Sequence, residues 1–180
     1  WVWVHDRGQL FEWTENDEPL MMYGTHADIT EEMSNLSKIQ HQYEALAILN
    51  DLALDTETND DIRIEKALRL GSDYLKLPLG IVSEIHSSVY SIRWFVAPED
   101  AGLEQNASFP LKDTYCSMLL GSRESLAIAH MARSSYRDHR CYDKFGLESY
   151  LAAPIFIKDR LYGTLNFSSP EPREQDFSDT

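Results

Sequence analysis

The residue types that most often do chemistry gather in the second half of this sequence: Cys116, His130, His139 and Cys141. Thiolate sulfur and imidazole nitrogen are the ligands that zinc and iron favour. Their spacing matches no compact metal motif such as paired Cys-x-x-Cys, so no metal site is predicted. Buried thiols and surface histidines are the ordinary reading of such residues. Cys116 follows Asp113-Thr114, a pair suited to start a helix, and a thiol near a helix start can have a lowered pKa and act as a nucleophile. The sequence contains no G-x-S-x-G elbow, no H-E-x-x-H, no phosphate-binding P-loop and no G-x-G-x-x-G. No catalytic residue is therefore assigned. A redox or hydrolytic enzyme working through Cys116 or Cys141 is kept as the alternative reading. Acidic clusters at residues 15–18 and 55–61 lack the alternating pattern of a Ca²⁺ loop and read as solvated turns and caps.

The elements that must position these residues follow from length, charge and periodicity. The chain has 180 residues, with 16 Lys+Arg against 30 Asp+Glu, a formal net charge of −14. That length suits one domain, or one domain with a fragment of another. Hydrophobic residues at 43% suffice for a packed core. The acidic balance argues against nucleic acid or an anionic membrane surface as partner, because each phosphate contact would work against the long-range field. No run approaches the roughly 18 apolar residues of a spanning helix, so no membrane insertion is expected. Two cysteines make no disulfide framework and fit a reducing compartment, which gives a cytoplasmic location as the expectation.

Three regions separate along the chain. Residues 1–28 hold short alternating runs, with a turn expected at Arg7-Gly8 and another over residues 14–19, giving up to three antiparallel strands. Residues 30–54 contain no Gly or Pro. Ile29, Met33, Leu36, Ile39, Tyr43, Leu46 and Leu49 recur at steps of three and four, predicting one long amphipathic helix capped by Asp28 or Thr30. A helix of that length between two β-rich regions is expected to pair with a second copy of itself. From residue 57 the expected order is a helix ending near Pro78, a hairpin over 79–85 and 89–96, and a short strand at 109–111. A helix from Asp113-Thr114 through Leu120, a strand at 126–129 and a helix over 136–145 closed by Gly146 come next. A second hairpin around Lys158-Asp159-Arg160 follows, with a helix start at Phe177. Neighbouring strands with helices on the faces make an α+β fold around a central antiparallel sheet. Phe109, Leu111, Phe145, Leu147 and Phe167 are core candidates, and Gly163 marks a close backbone approach.

Two family resemblances refine this. Met22-Tyr23-Gly24-Thr25-His26-Ala27-Asp28-Ile29-Thr30-Glu31, with Trp3-Val4-His5-Asp6-Arg7-Gly8 before it, resembles the end of a bacterial PAS domain leading into a signalling helix. Four segments resemble a GAF domain of bacterial sensor proteins. They are Gly80-Ile81-Val82-Ser83, Phe109-Pro110-Leu111-Lys112-Asp113-Thr114-Tyr115-Cys116, Lys144-Phe145-Gly146-Leu147-Glu148-Ser149-Tyr150 and Tyr162-Gly163-Thr164-Leu165-Asn166-Phe167-Ser168-Ser169. The expected organisation is then PAS-type strands at 1–29, a connecting helix at 30–56 and a GAF domain at 57–180 that lacks the family's last helix. Ala152 departs from the Gly that relatives often carry.

The resemblance implies a sensory or relay module that binds a small molecule, homodimerises through the connecting helix and drives a histidine kinase or diguanylate cyclase. Its implied cavity would be bordered by Tyr115, Cys116, Met118, Ile128, Tyr150 and Ala152. Some members carry a bilin on a cysteine. Here Tyr142, not His, follows Cys141, so no covalent chromophore is expected and no cofactor is required. The pattern of cyclic-nucleotide binders is not evident. A purely structural dimerisation spacer with a filled core is the remaining alternative.

Overall fold

The structure is a computed structural model of the chain and describes residues 1–54, 59–119, 123–174 and 176–177. It divides into two compact units, residues 1–46 and 47–180. The division falls inside the long helix, and the expected boundary between residues 56 and 57 lies outside the described residues.

In the first unit, β1 (Val4–Trp13) and β2 (Pro19–Asp28) form one antiparallel hairpin. The expected turn at Arg7-Gly8 is absent. Those residues pair across to Thr25 and Gly24, and the chain stays extended through them. The other expected turn, in the polar run after Trp13, is the one that forms. There the Thr14 amide donates to the Glu18 carbonyl at 2.8 Å, the Thr14 hydroxyl accepts from the Glu18 amide at 3.0 Å, and Asp17 takes a positive φ of 65°. There are thus two strands where up to three were expected. The Asp28 carboxylate accepts the Thr30 amide at 2.9 Å and so caps α1 (Thr30–Leu54). Leu36, Ile39, Tyr43, Leu46 and Leu49 of the predicted stripe are all exposed.

In the second unit, α2 (Asp60–Leu75) begins at Asn59, whose side chain accepts the Asp61 amide, and ends at a left-handed Lys76. Six antiparallel strands follow in the spatial order β5-β4-β3-β8-β7-β6. They are β3 (Leu79–His86), β4 (Val89–Val96), β5 (Ser108–Pro110), β6 (Leu126–Ile128), β7 (Ser149–Ile157) and β8 (Arg160–Ser169). The α+β expectation of a central antiparallel sheet flanked by helices holds.

Two expected helices differ. The segment around Asp113-Thr114 forms two 3-10 turns, Leu111–Asp113 before Thr114 and Tyr115–Leu119 after it, and no α-helix; Leu120 lies outside the described residues. The Thr114 hydroxyl turns back to the Leu111 carbonyl at 2.8 Å and closes the first turn, so it does not cap a following helix. The helix expected over 136–145 is reduced to α3 (Arg140–Phe145). The backbone before it is taken up by turns in which the Ser134 hydroxyl accepts the Tyr136 amide at 3.0 Å. Gly146, at φ 61°, ends α3 in the left-handed conformation that glycine adopts freely. The rest of the helix start expected at Phe177 runs into residues 178–180, outside the described residues.

Each sheet face has its own core. On one face Val82, Trp94, Leu151, Leu165 and Phe167 pack with Leu68 of α2 and Leu77. The opposite face carries Ile81, Tyr90, Ile92, Tyr150 and Ala152 against the 3-10 turns and α3. A bulge at Arg93, where Val82 pairs with Trp94 but Ser83 pairs with Ile92, switches the alternation of β4. It explains why Ile92 and Trp94, two residues apart, lie on different faces. Gly163 faces Glu84 in the central β3–β8 pair, and a Cβ there would sit 1.8 Å from the Ser83 carbonyl oxygen.

Candidate functional site

Between the second sheet face and the segments that cross it lies a cavity of about 470 Å³. Ile81, Tyr90, Ile92, Tyr150 and Asn166 contribute from the sheet, and Leu103, Phe109, Tyr115, Cys116, Phe145 and Leu147 from the crossing segments. Five aromatic rings, Tyr90, Phe109, Tyr115, Phe145 and Tyr150, stand in its wall. Tyr115 stacks on Tyr150 with centroids 5.0 Å apart and 27° between planes, and Phe109 meets Phe145 edge-on at 5.8 Å. The Tyr115 hydroxyl both donates to the Leu147 carbonyl and accepts the Leu147 amide, each at 3.1 Å, which fixes the 3-10 turn against the start of β7.

The sheet side of the cavity is uncharged, with Asn166 and Ser168 as its polar residues beside the tyrosines, and through Cys116 and Tyr150 it adjoins a buried polar cluster. Ser83 Oγ and Thr164 Oγ1 lie 2.8 Å apart, and Cys116 Sγ lies 3.0 Å from Thr164 Oγ1 and 3.3 Å from the Tyr150 hydroxyl. Asn166 Nδ2 reaches Tyr90, Thr164 and Cys116 only at 3.5, 3.5 and 3.9 Å. Burial pushes the Tyr90, Tyr115 and Tyr150 phenols and the Cys116 thiol up, so all four are neutral at physiological pH. The lowered thiol pKa that a helix start could have given Cys116 does not arise: no α-helix begins there, and loss of water outweighs the hydrogen bonds from Thr164 and Tyr150.

His139 and Cys141 have the geometry of a nucleophile and base without the chemistry. Imidazole Nδ1 lies 2.8 Å from Cys141 Sγ, and Nε2 lies 3.2 Å from Ser117 Oγ. Cys141 is wholly buried, and burial pushes its thiol up to about 12, so almost no thiolate is present. The same Nδ1 accepts the Cys141 amide at 3.3 Å, which makes His139 the N-cap of α3. No group of three or more potential metal ligands converges among the described residues.

Of the six residues expected at a cavity, Tyr115, Cys116 and Tyr150 line this one. Met118, Ile128 and Ala152 belong to the adjoining core cluster around Met131 and Cys141. Ile128 also borders a second, shallow hollow of about 520 Å³ beside β6, where Arg133 and Arg173 are offset by Glu174 and Asp176. The Arg173 guanidinium is already bonded to the Leu75 carbonyl at 2.6 Å. Phe145, expected in the core, is 37% exposed, because its ring stands at the cavity wall against Phe109.

A family model described as "GAF domain" matches residues 62–180. The chain belongs to the GAF domain family. Solved structures agree in fold. The GAF domain of an Acinetobacter phosphoenolpyruvate-protein phosphotransferase superposes with a TM-score of 0.58 at 12% identity, covering 77% of this chain and 80% of its own. A phycoerythrobilin-bound GAF domain from a cyanobacterial phytochrome gives 0.62 at 14%, covering 76% and 87%. The free methionine-R-sulfoxide reductase of Neisseria meningitidis, in complex with its substrate, gives 0.58 at 13%, covering 77% and 78%. No curated protein matches this chain.

Within this GAF domain, sequence reasoning missed Asn166 and Ser168 of the lining and the buried Ser83–Thr164 pair that Cys116 joins to it. A signal was present. Thr164, Asn166 and Ser168 alternate with Leu165 and Phe167 in a strand that the segment order places centrally. Polar residues on one face of a central strand imply a polar lining beneath the covering segments.

Proposed function

We propose that this chain is the sensory module of a signalling protein and binds a small molecule in the cavity between β3, β4, β7, β8 and the crossing segments. The observation that carries the reading is the cavity itself: about 470 Å³, walled by aromatic rings and floored by neutral polar groups. Ligand sites of soluble proteins have this make-up, with apolar walls and a few placed polar groups. The reading gains support from the cyanobacterial relative named as phycoerythrobilin-bound and the Neisseria relative named as substrate-bound, since both hold a ligand on this fold. Buried, protonated Cys116 and Cys141 do not favour the cysteine-based enzyme.

The same reading includes a relay. The exposed stripe of α1 pairs with a second copy, and occupancy of the cavity biases that pairing. By resemblance of the surrounding segments, the output is a histidine kinase or a diguanylate cyclase and the strands of the first unit are PAS-type. Two free cysteines suit a cytoplasmic setting. No helix among the described residues is long and apolar enough to cross a membrane.

Nile red, a neutral fluorophore that brightens in apolar surroundings, tests the site. It should bind the 180-residue chain saturably, and Leu103→Trp, which fills the cavity from its loop side, should weaken binding by about tenfold or more while circular dichroism is unchanged. Equal binding by both proteins, or none by either, would refute the assignment.

A further inference from the structure

Resting on the reading of this cavity as a ligand site, we propose that it selects an uncharged planar heteroaromatic with an adjacent hydrogen-bond donor and acceptor on one edge, read by the Asn166 side-chain amide. The argument begins with Asn166. It lines the cavity from β8 and is 4% exposed. Its two donor contacts to oxygen, both at 3.5 Å, lie at the outer limit of hydrogen bonding, the third is a weak contact to the Cys116 sulfur at 3.9 Å, and no donor reaches its side-chain oxygen among the described residues. A buried amide can make four bonds, and native interiors satisfy nearly all such groups. Its neighbours meet that rule, with Ser83 and Thr164 bonded to each other at 2.8 Å. Asn166 thus presents a weakly engaged donor beside a free acceptor, side by side on one planar group. The complementary partner is a planar edge carrying one acceptor and one donor, as in a lactam or an amino-substituted azine.

The walls set the rest of the class. Tyr115, Tyr150, Phe109 and Phe145 present ring faces and edges, which favour a flat aromatic guest. The floor offers no ionised side chain, so a charged guest would lose its water uncompensated. Asp100 is the charged residue of the lining, and Lys144, which does not line the cavity, sits with Nζ 5.5 and 5.3 Å from the Phe109 and Phe145 ring centroids.

Displacement of Nile red by four related compounds tests this. Carbostyril offers a lactam N–H and C=O side by side. Its O-methyl ether and its N-methyl derivative keep the bicycle but lose the donor, and quinaldate is an anion of similar shape. In the wild-type chain carbostyril should bind about tenfold more tightly than either methylated compound, which corresponds to one or two hydrogen bonds, and quinaldate should bind most weakly. In Asn166→Leu, close in shape but without the amide, the carbostyril preference should fall to about twofold or less. Equal binding of carbostyril and its methylated forms, a preference that survives in Asn166→Leu, or tightest binding by quinaldate would overturn the proposal. If Asn166→Leu does not fold, the N-methyl comparison on the wild-type chain decides alone. Nile red binding without the preference defeats only the selectivity; absence of Nile red binding defeats the cavity reading as well.

Discussion

At the scale of single residues, Glu148 shows how one side chain holds the loop that closes the unit. Its carboxylate accepts the Tyr142 hydroxyl, accepts the Ala132 amide at 3.2 Å and lies 2.9 Å from His130 Nδ1. Partial burial works to raise its pKa, but the Tyr142 hydroxyl, the Ala132 amide and His130 together hold the carboxyl below its ordinary 4.5. A carboxyl lowered in the folded state stabilises the fold above about pH 4.5, and that contribution disappears as pH falls through the lowered value. Urea unfolding followed from pH 7 to pH 3 should therefore show a flatter acid limb for Glu148→Gln than for the wild type. At pH 7 the variant should be less stable by about 1 kcal/mol through its weakened hydrogen bonds. An unchanged acid limb would show that the carboxylate is not the source. Little of this was legible beforehand: Glu148 stands in a segment that resembles the family, but Ala132 and His130 reach it across 16 and 18 positions of sequence.

At the scale of elements, the central β3–β8 pair depends on the missing side chain of Gly163. A methyl group there would stand 1.8 Å from the Ser83 carbonyl oxygen and 2.6 Å from its carbon, so two backbones would have to part. Gly163→Ala should destabilise the unit by about 3 kcal/mol or more, or leave it insoluble. Gly102→Ala has the left-handed φ of 63° but open space around its Cβ, and should lose only about 1 kcal/mol. Thermal melts of the two variants compare them directly, and similar losses would remove the steric account. The close approach at Gly163 could be read from sequence because a lone glycine inside an apolar strand has few other uses. The 3-10 turns in place of a helix after Thr114 could not. There the Thr114 and Ser117 hydroxyls bond back to local carbonyls and compete with helical geometry.

At the scale of the whole molecule, the proposed relay depends on an apolar stripe that is exposed among the described residues. Ile39, Tyr43, Leu46 and Leu49 of α1 are each more than 60% exposed. In the proposed relay this row, at heptad-like spacing, serves as the pairing seam. Sedimentation equilibrium should return a dimer for the wild-type chain and a monomer for the double variant Ile39→Glu and Leu46→Glu, with the helix content of the second unit retained. A wild-type monomer across micromolar concentrations would end the dimeric relay.

By itself the sequence determined the α+β class, both hairpins of the GAF domain, the long helix with a cap at Asp28 or Thr30, and glycines at positions 146 and 163. Each of these is governed by residues within a few positions of one another, through periodicity, capping and backbone freedom. Only the tertiary structure decided which side chains share the cavity. Ser83 meets Thr164 across 81 positions, and Asn166 reaches toward Tyr90 across 76. The bulge at Arg93 chooses which β4 residues face them. The state of Cys116 was settled in the same way: a thiol's charge depends on the water it loses, and that loss is complete only when Thr164, Tyr150 and the crossing segments close around it.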